Sequence, residues 1–584
     1  MRTDPFTVEI IGEMLRASAE EMFVTLGRTA QSPIIYEVLD MACGLVTAEG
    51  ELIAEAAGVP GFIGCLSFAA KDISEKFGPA ALRPGDVYAT NDPYRGGGTH
   101  LSDVVLVAPI FFRGDLVGFA VDKAHWTEVG GMAAGSWTTD AREIYQEGLQ
   151  LPGVRIMEEG RPVQDLIDLL RANVRLPEMT LGDFHAGVAA LRAGERGVLS
   201  ICEKYGVEAL RAAMASMLDR AEQAALARLA EFPPGEYTAE MWIDDDGLSD
   251  EALRVCVKVT ITGQRFIADF TGSASQTAGP INTTWPGLQV GVREIFKEAT
   301  DPEFPNNEGY FRPVEVICPR GTLFTALRPA PVSTYWETGA YASDLIWMAL
   351  FPIAKARLPV GHHLSVCGTI VSGVDEERGR FVLVEPQAGG WGAKADRDGQ
   401  SAMVPAGDGE TTIMPVEVCE TRYPILVEQF TLNTVQPAGE GRFRGGFGLV
   451  REYRILCDQA ELTATFGRFK FPPWGADRGA DGSPNAVEVI RNGASEPVVR
   501  RGKLARYRLA RDDRARLITG TGGGYGEPFE RDPARVRDDV RDETLTLAQA
   551  AKIYGVVIHP ATLAVELQAT QALRDRARRT RALT

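Results

Sequence analysis

Residues 91–131, NDPYRGGGTHLSDVVLVAPIFFRGDLVGFAVDKAHWTEVGG, restrict the fold more than any other part of the chain. Asn91, Asp92 and Pro93 are turn formers, and Gly96, Gly97 and Gly98 allow backbone angles that other residues resist. A Val-rich run, Val104 to Val107, and an apolar run, Leu116 to Val121, flank Gly114-Asp115 and predict two strands joined by a turn. His100 and Asp103 precede the first strand. His125 follows the second, with Glu128 three residues on. A hairpin that returns beside its own start brings His100, Asp103 and His125 together. Two imidazoles and a carboxylate suit a divalent metal with positions left open for water or substrate. Two ordinary loop histidines and a turn-capping Asp fit the same spacing. The metal is favoured because only six His occur in 584 residues, and two of them end this one unit.

A chain of this length buries a large core and divides into two to four domains. The expected fold is α+β: a large multi-domain mixed fold with antiparallel β-rich regions and helical segments. Val8, Ile11, Leu15, Ala19 and Met22 recur at helical spacing after Asp4-Pro5 and predict a helix over 5–27. IIYEVLD and GLVTAEGELIAEA read as strands, the latter turning at Glu49-Gly50, with Asp40 ending the first. Residues 58–64 read as a tight turn feeding a helix. Residues 1–160 are thus an α+β domain holding the candidate metal residues. Residues 161–232 are mainly helical, divided by Gly194, Gly197 and Gly206. A boundary falls at Phe232-Pro233-Pro234. Residues 233–470 form a β-rich domain with a helix at 338–357, and 471–584 a β-rich segment with a helical tail that includes a strand at YGVVIHP.

The net charge of -18 argues against a nucleic-acid partner held by phosphate neutralisation. Eight cysteines form no CxxC pair and read as reduced thiols. No stretch is long and apolar enough to span a bilayer, and no signal peptide opens the chain, so no membrane partner and a cytoplasmic location are expected. Three glycine-rich strings, GGWG at 389–392, RFRGGFG at 442–448 and TGTGGGYG at 519–526, read as tight turns. The last is followed by Glu527-Pro528 and no Lys, so it lacks the features of a phosphate loop. His362-His363 is set aside as a metal pair, because neighbours on a strand point to opposite faces. No nucleophile elbow or nucleotide-binding motif is present.

NDPYRGGGTHLSDVVLVAPIF resembles the signature of the hydantoinase B/oxoprolinase family. The resemblance continues in order through AHWTEVGGMAAGS, EIYQEGLQLP, IADFTGSA, PNNEGYFRPVEVICPRG, RPAPV, PVEVCETRYPILVE, GRFRGGFGLVREY and GGGYGEPFERDP. It implies a metal-binding B-type subunit whose ligands match His100, Asp103 and His125, joined by Asp40, with Zn, Mn or Fe as the metal. It also implies a hydantoinase A-type ATPase partner that uses ATP to phosphorylate the amide oxygen of a small cyclic substrate, after which this chain completes ring opening. Ketone carboxylase subunits are relatives, and carboxylation, or a scaffold role without catalysis, are the alternatives. The chain departs from the pattern in three places. Phe62 stands where the family has a His, and so becomes a candidate substrate-pocket residue. Glu128 replaces an Asp and becomes a candidate for orienting the ligands or for proton transfer. Gln436-Pro437-Ala438-Gly439 replaces Asp-Ser-Gly-Gly.

Overall fold

The computed structural model describes residues 4–581, and within them the fold is the expected mixture of helices and mainly antiparallel sheets. Helix α1, Pro5–Thr29, starts where the sequence predicts: Pro5 occupies the first turn and the Asp4 carboxylate accepts from the N–H groups of Phe6 and Thr7. The segment IIYEVLD is not a strand. Its start forms a single helical turn, α2, Pro33–Tyr36, because Pro33 fixes a helical φ at the first position, and Asp40 lies in irregular backbone just before Met41. Strands β1, Met41–Thr47, and β2, Leu52–Glu55, make the expected hairpin, with Gly50 at φ +87° in its turn. Helix α3 spans Pro60–Phe77, so Phe62 belongs to its first turn and not to a loop.

Strands β3, Val87–Thr90, β4, Asp103–Phe112, and β5, Asp115–His125, continue the first sheet, in which β5 pairs with β1 and β4, and β4 with β3. The β4–β5 turn is Arg113-Gly114, both at positive φ, one residue earlier than the sequence suggests. Along β4, Val105 and Val107 pack under α3, while Val104, Leu106 and Ala108 join the core on the opposite face. Burial on both faces explains why these strands read as continuous apolar runs with no alternation.

That second face is covered by helix α4, Gln164–Asn173, and above all by α5, Pro177–Tyr205; α6, Val207–Leu229, follows. Only Gly206, at φ +83°, breaks the long helical stretch. Gly194 and Gly197 lie inside α5, where a Cβ would come within 2.3 Å of Met22 Sδ and 2.1 Å of Ser18 Oγ on α1. They let two helices approach closely rather than ending one.

A four-stranded sheet spans 235–317, packed with helices α7, Trp285–Thr300, and α8, Trp336–Ala354. Two further sheets, of four and five strands, are built from residues 368–518. The three glycine strings expected to be separate turns interlock here. Gly390 N–H donates to Gly520 O, Gly522 N–H to Gly446 O, and Ala393 N–H to Gly523 O. A Cβ on Gly445 would sit 1.8 Å from Gly522 O, so only glycine permits this backbone-on-backbone layer. Among the described residues the tail holds three helices, 533–541, 547–554 and 567–581; YGVVIHP is not a strand and contributes one isolated bridge, Ile558 to Val565. All eight cysteines are free. Among the described residues, no helix is long and apolar enough to cross a membrane.

Candidate metal centre and chamber

The register of the β4–β5 hairpin sets Asp103, the first residue of β4, directly opposite His125, the last of β5. His100 sits in the turn before β4, and its ring centroid lies 5.0 Å from that of His125. Lys123 braces the turn from inside, its Nζ donating to Gly97 O at 2.6 Å and to Thr99 Oγ1 at 2.5 Å. One potential donor atom from each of His100, Asp103 and His125 falls within 4.8 Å of the other two, and all three side chains are buried.

The hydrogen bonds of His100 leave a place for a cation. Its Nδ1 is 2.9 Å from Ser333 O, and a carbonyl only accepts, so Nδ1 carries the hydrogen. In the neutral ring Nε2 is then a bare lone pair, 2.9 Å from Asp103 Oδ1. Two lone pairs at that distance need a positive charge at the same place, either a proton or a metal ion. Asp103 Oδ2 and His125 Nδ1 are also buried without partners. Burial pushes the Asp103 carboxyl up, but His100, with Lys123 and His125, more than offsets it and holds the group down to about 2. Burial, and next His100, keep His125 neutral, its pKa lowered to about 4. A deprotonated carboxylate, a neutral imidazole and a second imidazole anchored through its other N–H to a carbonyl form a donor set that fits a divalent metal.

The centre opens on a chamber of about 110 Å³. Ile34, Val59, Phe62, Val290 and Trp336 supply apolar wall, and Asp40, Glu294 and Asp408 supply carboxyls. Asp40 lines the chamber outside the cluster of three, while its backbone carbonyl accepts the His125 N–H at 3.1 Å. Burial first, then the Asp103 and Asp408 carboxylates, push the Asp40 carboxyl well above the usual carboxylate range.

Phe62 both lines the chamber and packs into the core beneath α3; it is 3% exposed, with Lys123 Nζ 5.1 Å from its ring centroid. Phe62→Leu is expected to cost about 1–2 kcal/mol of stability and, by enlarging the chamber, to change the ratio of activities on smaller and larger substrates. Melting temperature and substrate ratio measured together check this; an unchanged ratio would remove Phe62 from the substrate wall.

Glu128 is not among the chamber residues. Its carboxylate accepts from the Gly130 N–H at 2.8 Å, the Gly135 N–H at 3.0 Å and Arg175 Nη1 at 2.8 Å. These bonds tie the loop after β5 into shape and engage Glu128 away from the chamber lining.

Sequence reasoning missed Glu147, Ser333, Glu294 and Asp408. Glu147 Oε1 accepts from the N–H groups of Val332 and Ser333 at 2.8 and 2.9 Å, fixing the carbonyl that orients His100. Its signal was its place in the EIYQEGLQLP string. Glu294 and Asp408 come from α7 and from the 406–411 loop, distant in sequence, and carried no local signal.

Burial pushes Glu147 up to about 8, against the hydrogen bonds of Ser333 and Val332. It pushes Asp183 up to about 6, against those of Ser32 and Gln31. Both carboxyls hold protons in the folded chain that the unfolded chain releases at a lower pH. Their stabilising contribution is therefore complete below the ordinary carboxylate range and is lost as pH rises through about 6 and then about 8. Stability is expected to fall between about pH 5 and about pH 8 by on the order of a few kcal/mol. Chemical denaturation across that window checks this, and rising stability would contradict it.

The sequence profile of the hydantoinase B/oxoprolinase family matches residues 4–528, and the chain belongs to that family. It is 31% identical to the B-type subunit of a putative D-/L-hydantoinase from a Pseudomonas species, over 95% of this chain and 96% of that protein. The crystal structure of an ATP-dependent caprolactamase from Pseudomonas jessenii superposes with a TM-score of 0.89 at 28% identity, covering 98% of this chain and 99% of that one. A nucleotide-free acetone carboxylase structure shares the fold, with a TM-score of 0.91 at 19% identity over 100% of this chain and 84% of the other.

Proposed function

We propose that the chain is the metal-dependent B-type subunit of an ATP-dependent cyclic-amide hydrolase, acting on hydantoin, lactam or 5-oxoproline-like rings with a separate hydantoinase A-type ATPase subunit. The observation that carries the reading is His100, whose Nδ1–H is committed to Ser333 O and whose Nε2 faces the Asp103 carboxylate at one end of the chamber. Likeness to a putative hydantoinase subunit and to an ATP-dependent caprolactamase supports the amide class and the use of ATP.

An amide resists water because resonance weakens its carbonyl as an electrophile. Phosphorylation of the amide oxygen by the partner removes that resonance; water adds to the activated carbon, the ring C–N bond breaks with the nitrogen taking a proton, and a second water releases phosphate from the acyl phosphate that results. Handling of ATP by the partner is supported by the glycine strings of this chain, whose backbone groups bond to one another. His100, Asp103 and His125 would hold a divalent ion, which would supply a water of lowered pKa when bound. The chain's own residues do the rest. The Ser333 carbonyl, itself fixed by Glu147, sets the His100 tautomer. Trp336 and Phe62 limit the water that reaches the activated carbon. Asp40, which lines the chamber outside the cluster of three, would join the ligand set by giving up the proton that burial first, and then the Asp103 and Asp408 carboxylates, favour.

The purified chain alone is expected to turn over no ATP. Combined with the ATPase subunit it is expected to form a complex burying at least about 1,000 Å² and to release phosphate only when a cyclic amide is present. ATP turnover by the isolated chain would contradict this division of labour.

A further inference from the structure

Opening the ring requires a group that passes a proton to the leaving nitrogen. Glu128 is engaged away from the chamber, but Glu385, 1% exposed, lies on the chamber wall. It ends the strand Gly379–Glu385 and pairs with Thr369, next to Gly368. A Cβ on Gly368 would lie 3.1 Å from the Trp336 side chain, and the Trp336 ring meets His100 with centroids 5.4 Å apart. One indole thus links the Glu385 strand end to the candidate metal centre.

The two oxygens of Glu385 differ in their surroundings. Oε1 accepts from Gln387 Nε2 at 2.7 Å and from the Tyr453 hydroxyl, and Arg451 Nε lies 3.4 Å from it. Arg451 and Tyr453 stand two residues apart on the strand Leu449–Ile455 of the neighbouring sheet, so both reach the carboxyl from one side. Oε2 is buried without a partner. A carboxylate that only neutralises a guanidinium commonly offers it both oxygens in a two-bond fork. Here Arg451 Nη2 donates to Met414 O at 3.0 Å instead, and the second carboxyl oxygen stays bare. Thr411 Oγ1, on the same chamber, is also buried and unpartnered, a second sign that a polar ligand belongs there. Glu294 and Asp408 carry bare oxygens too, but among the described residues the Glu294 carboxyl takes one hydrogen bond, from Ser343 Oγ at 3.3 Å. Glu385 is held from behind by Gln387, Tyr453 and Arg451, and a reacting group performs best when its supports fix it in this way.

We propose that Glu385 carries the proton of ring opening: its Oε2 takes a proton from the water that adds to the activated carbon and returns it to the ring nitrogen as the C–N bond breaks. This rests on the hydrolase function proposed above. The phosphorylated ring starts as an iminium that keeps its N–H. The water oxygen bonds to carbon, and one water proton goes to the Glu385 carboxylate. The C–N electron pair then moves onto nitrogen, which takes that proton from Glu385. The carbon-bound hydroxyl becomes the carbonyl of the acyl phosphate, and its proton ends on the released amine. Glu385 finishes as the carboxylate it began as. Burial raises this carboxyl above the ordinary range while Arg451, and next the Gln387 hydrogen bond, oppose the rise, so both protonation states are within reach. At about 110 Å³ the chamber has room for few waters beside a substrate, which leaves proton exchange to its walls.

Glu385→Gln keeps an acceptor oxygen for Gln387 and Tyr453 and removes the proton carrier. The variant is assayed in the complex with the ATPase subunit on hydantoin, 2-pyrrolidinone and 5-oxoproline, with melting temperature and metal content monitored. On whichever ring the wild-type complex opens fastest, kcat for ring opening is expected to fall roughly 10²-fold or more with KM changed less than about twofold. Rapid quenching is expected to show ADP forming in the first turnover at the wild-type rate, because phosphorylation by the partner precedes the step that Glu385 serves. Glu385→Asp keeps the charge beside Arg451 but withdraws the carboxyl by one methylene, and it decides the matter if the Gln variant fails to fold; a loss of at least about tenfold is expected. Ring opening at the wild-type rate in the folded variant, or ADP formation falling in step with ring opening, would overturn the proposal. A wild-type complex that opens none of the three rings refutes the hydrolase reading and this proposal with it. A wild-type complex that opens them no faster than the variant does refutes this proposal alone.

Discussion

His125→Ala should abolish metal binding and lower kcat/KM by roughly 10²-fold or more, because even residues behind a metal ligand typically contribute 10–100-fold. It should do so with little loss of stability. The His125 Nδ1 has no protein partner to strand, and the ring is neutral and modest in size. His100→Ala should lose metal and activity equally but cost more stability. It leaves the Ser333 carbonyl without its donor and the buried Asp103 carboxylate without the imidazole that holds its pKa down. Elemental analysis, kinetics and melting temperature on both variants separate the two effects. Full metal content in either variant would remove that residue from the ligand set, and equal melting temperatures would refute the proton accounting at His100.

The second large effect lies away from the chemistry. Arg468, 3% exposed, bonds to Asp344, which is fully buried on α8 and also accepts from Trp474 Nε1 at 3.3 Å. Burial raises the Asp344 carboxyl and Arg468 opposes that rise. The guanidinium carbon also lies 5.0 Å from the Tyr341 ring centroid, on the same helix. Arg468→Met strands the carboxyl and is expected to destabilise the chain by about 3–5 kcal/mol. Arg468→Met with Asp344→Leu removes both partners and should recover much of that loss. A double variant no more stable than the single one would show that packing, not the ion pair, carries the effect.

The parts of the site legible in the sequence are those whose contacts are local. Asp103 and His125 end adjacent strands, so the turn at residue 114 and two apolar runs suffice to bring them opposite each other, and His100 follows because three residues separate it from Asp103. Glu294 and Asp408 reach the chamber only through the packing of α7 and the 406–411 loop, and no periodicity encodes that. The glycine strings show the same limit. Each reads as a turn, yet the space each fills belongs to another string more than fifty residues away, as when Gly445 meets Gly522. Residues 34–40 mislead for a different reason. Ile34, Ile35 and Tyr36 favour strands, but Pro33, which fixes a helical φ at the first position, overrides that preference. Glu128 is close to the ligands in sequence, but the turn at Gly130, φ +87°, folds its loop back onto the carboxylate and away from them.

The measurement that tests the central claim most directly is product analysis on the chain reconstituted with its ATPase subunit. Small cyclic amides are supplied in one series, and small ketones with bicarbonate in another. Ring-opened product matching phosphate release in the first series, and no carboxylated product in the second, is the predicted result. Bicarbonate-dependent ketone carboxylation with intact lactam rings would contradict it.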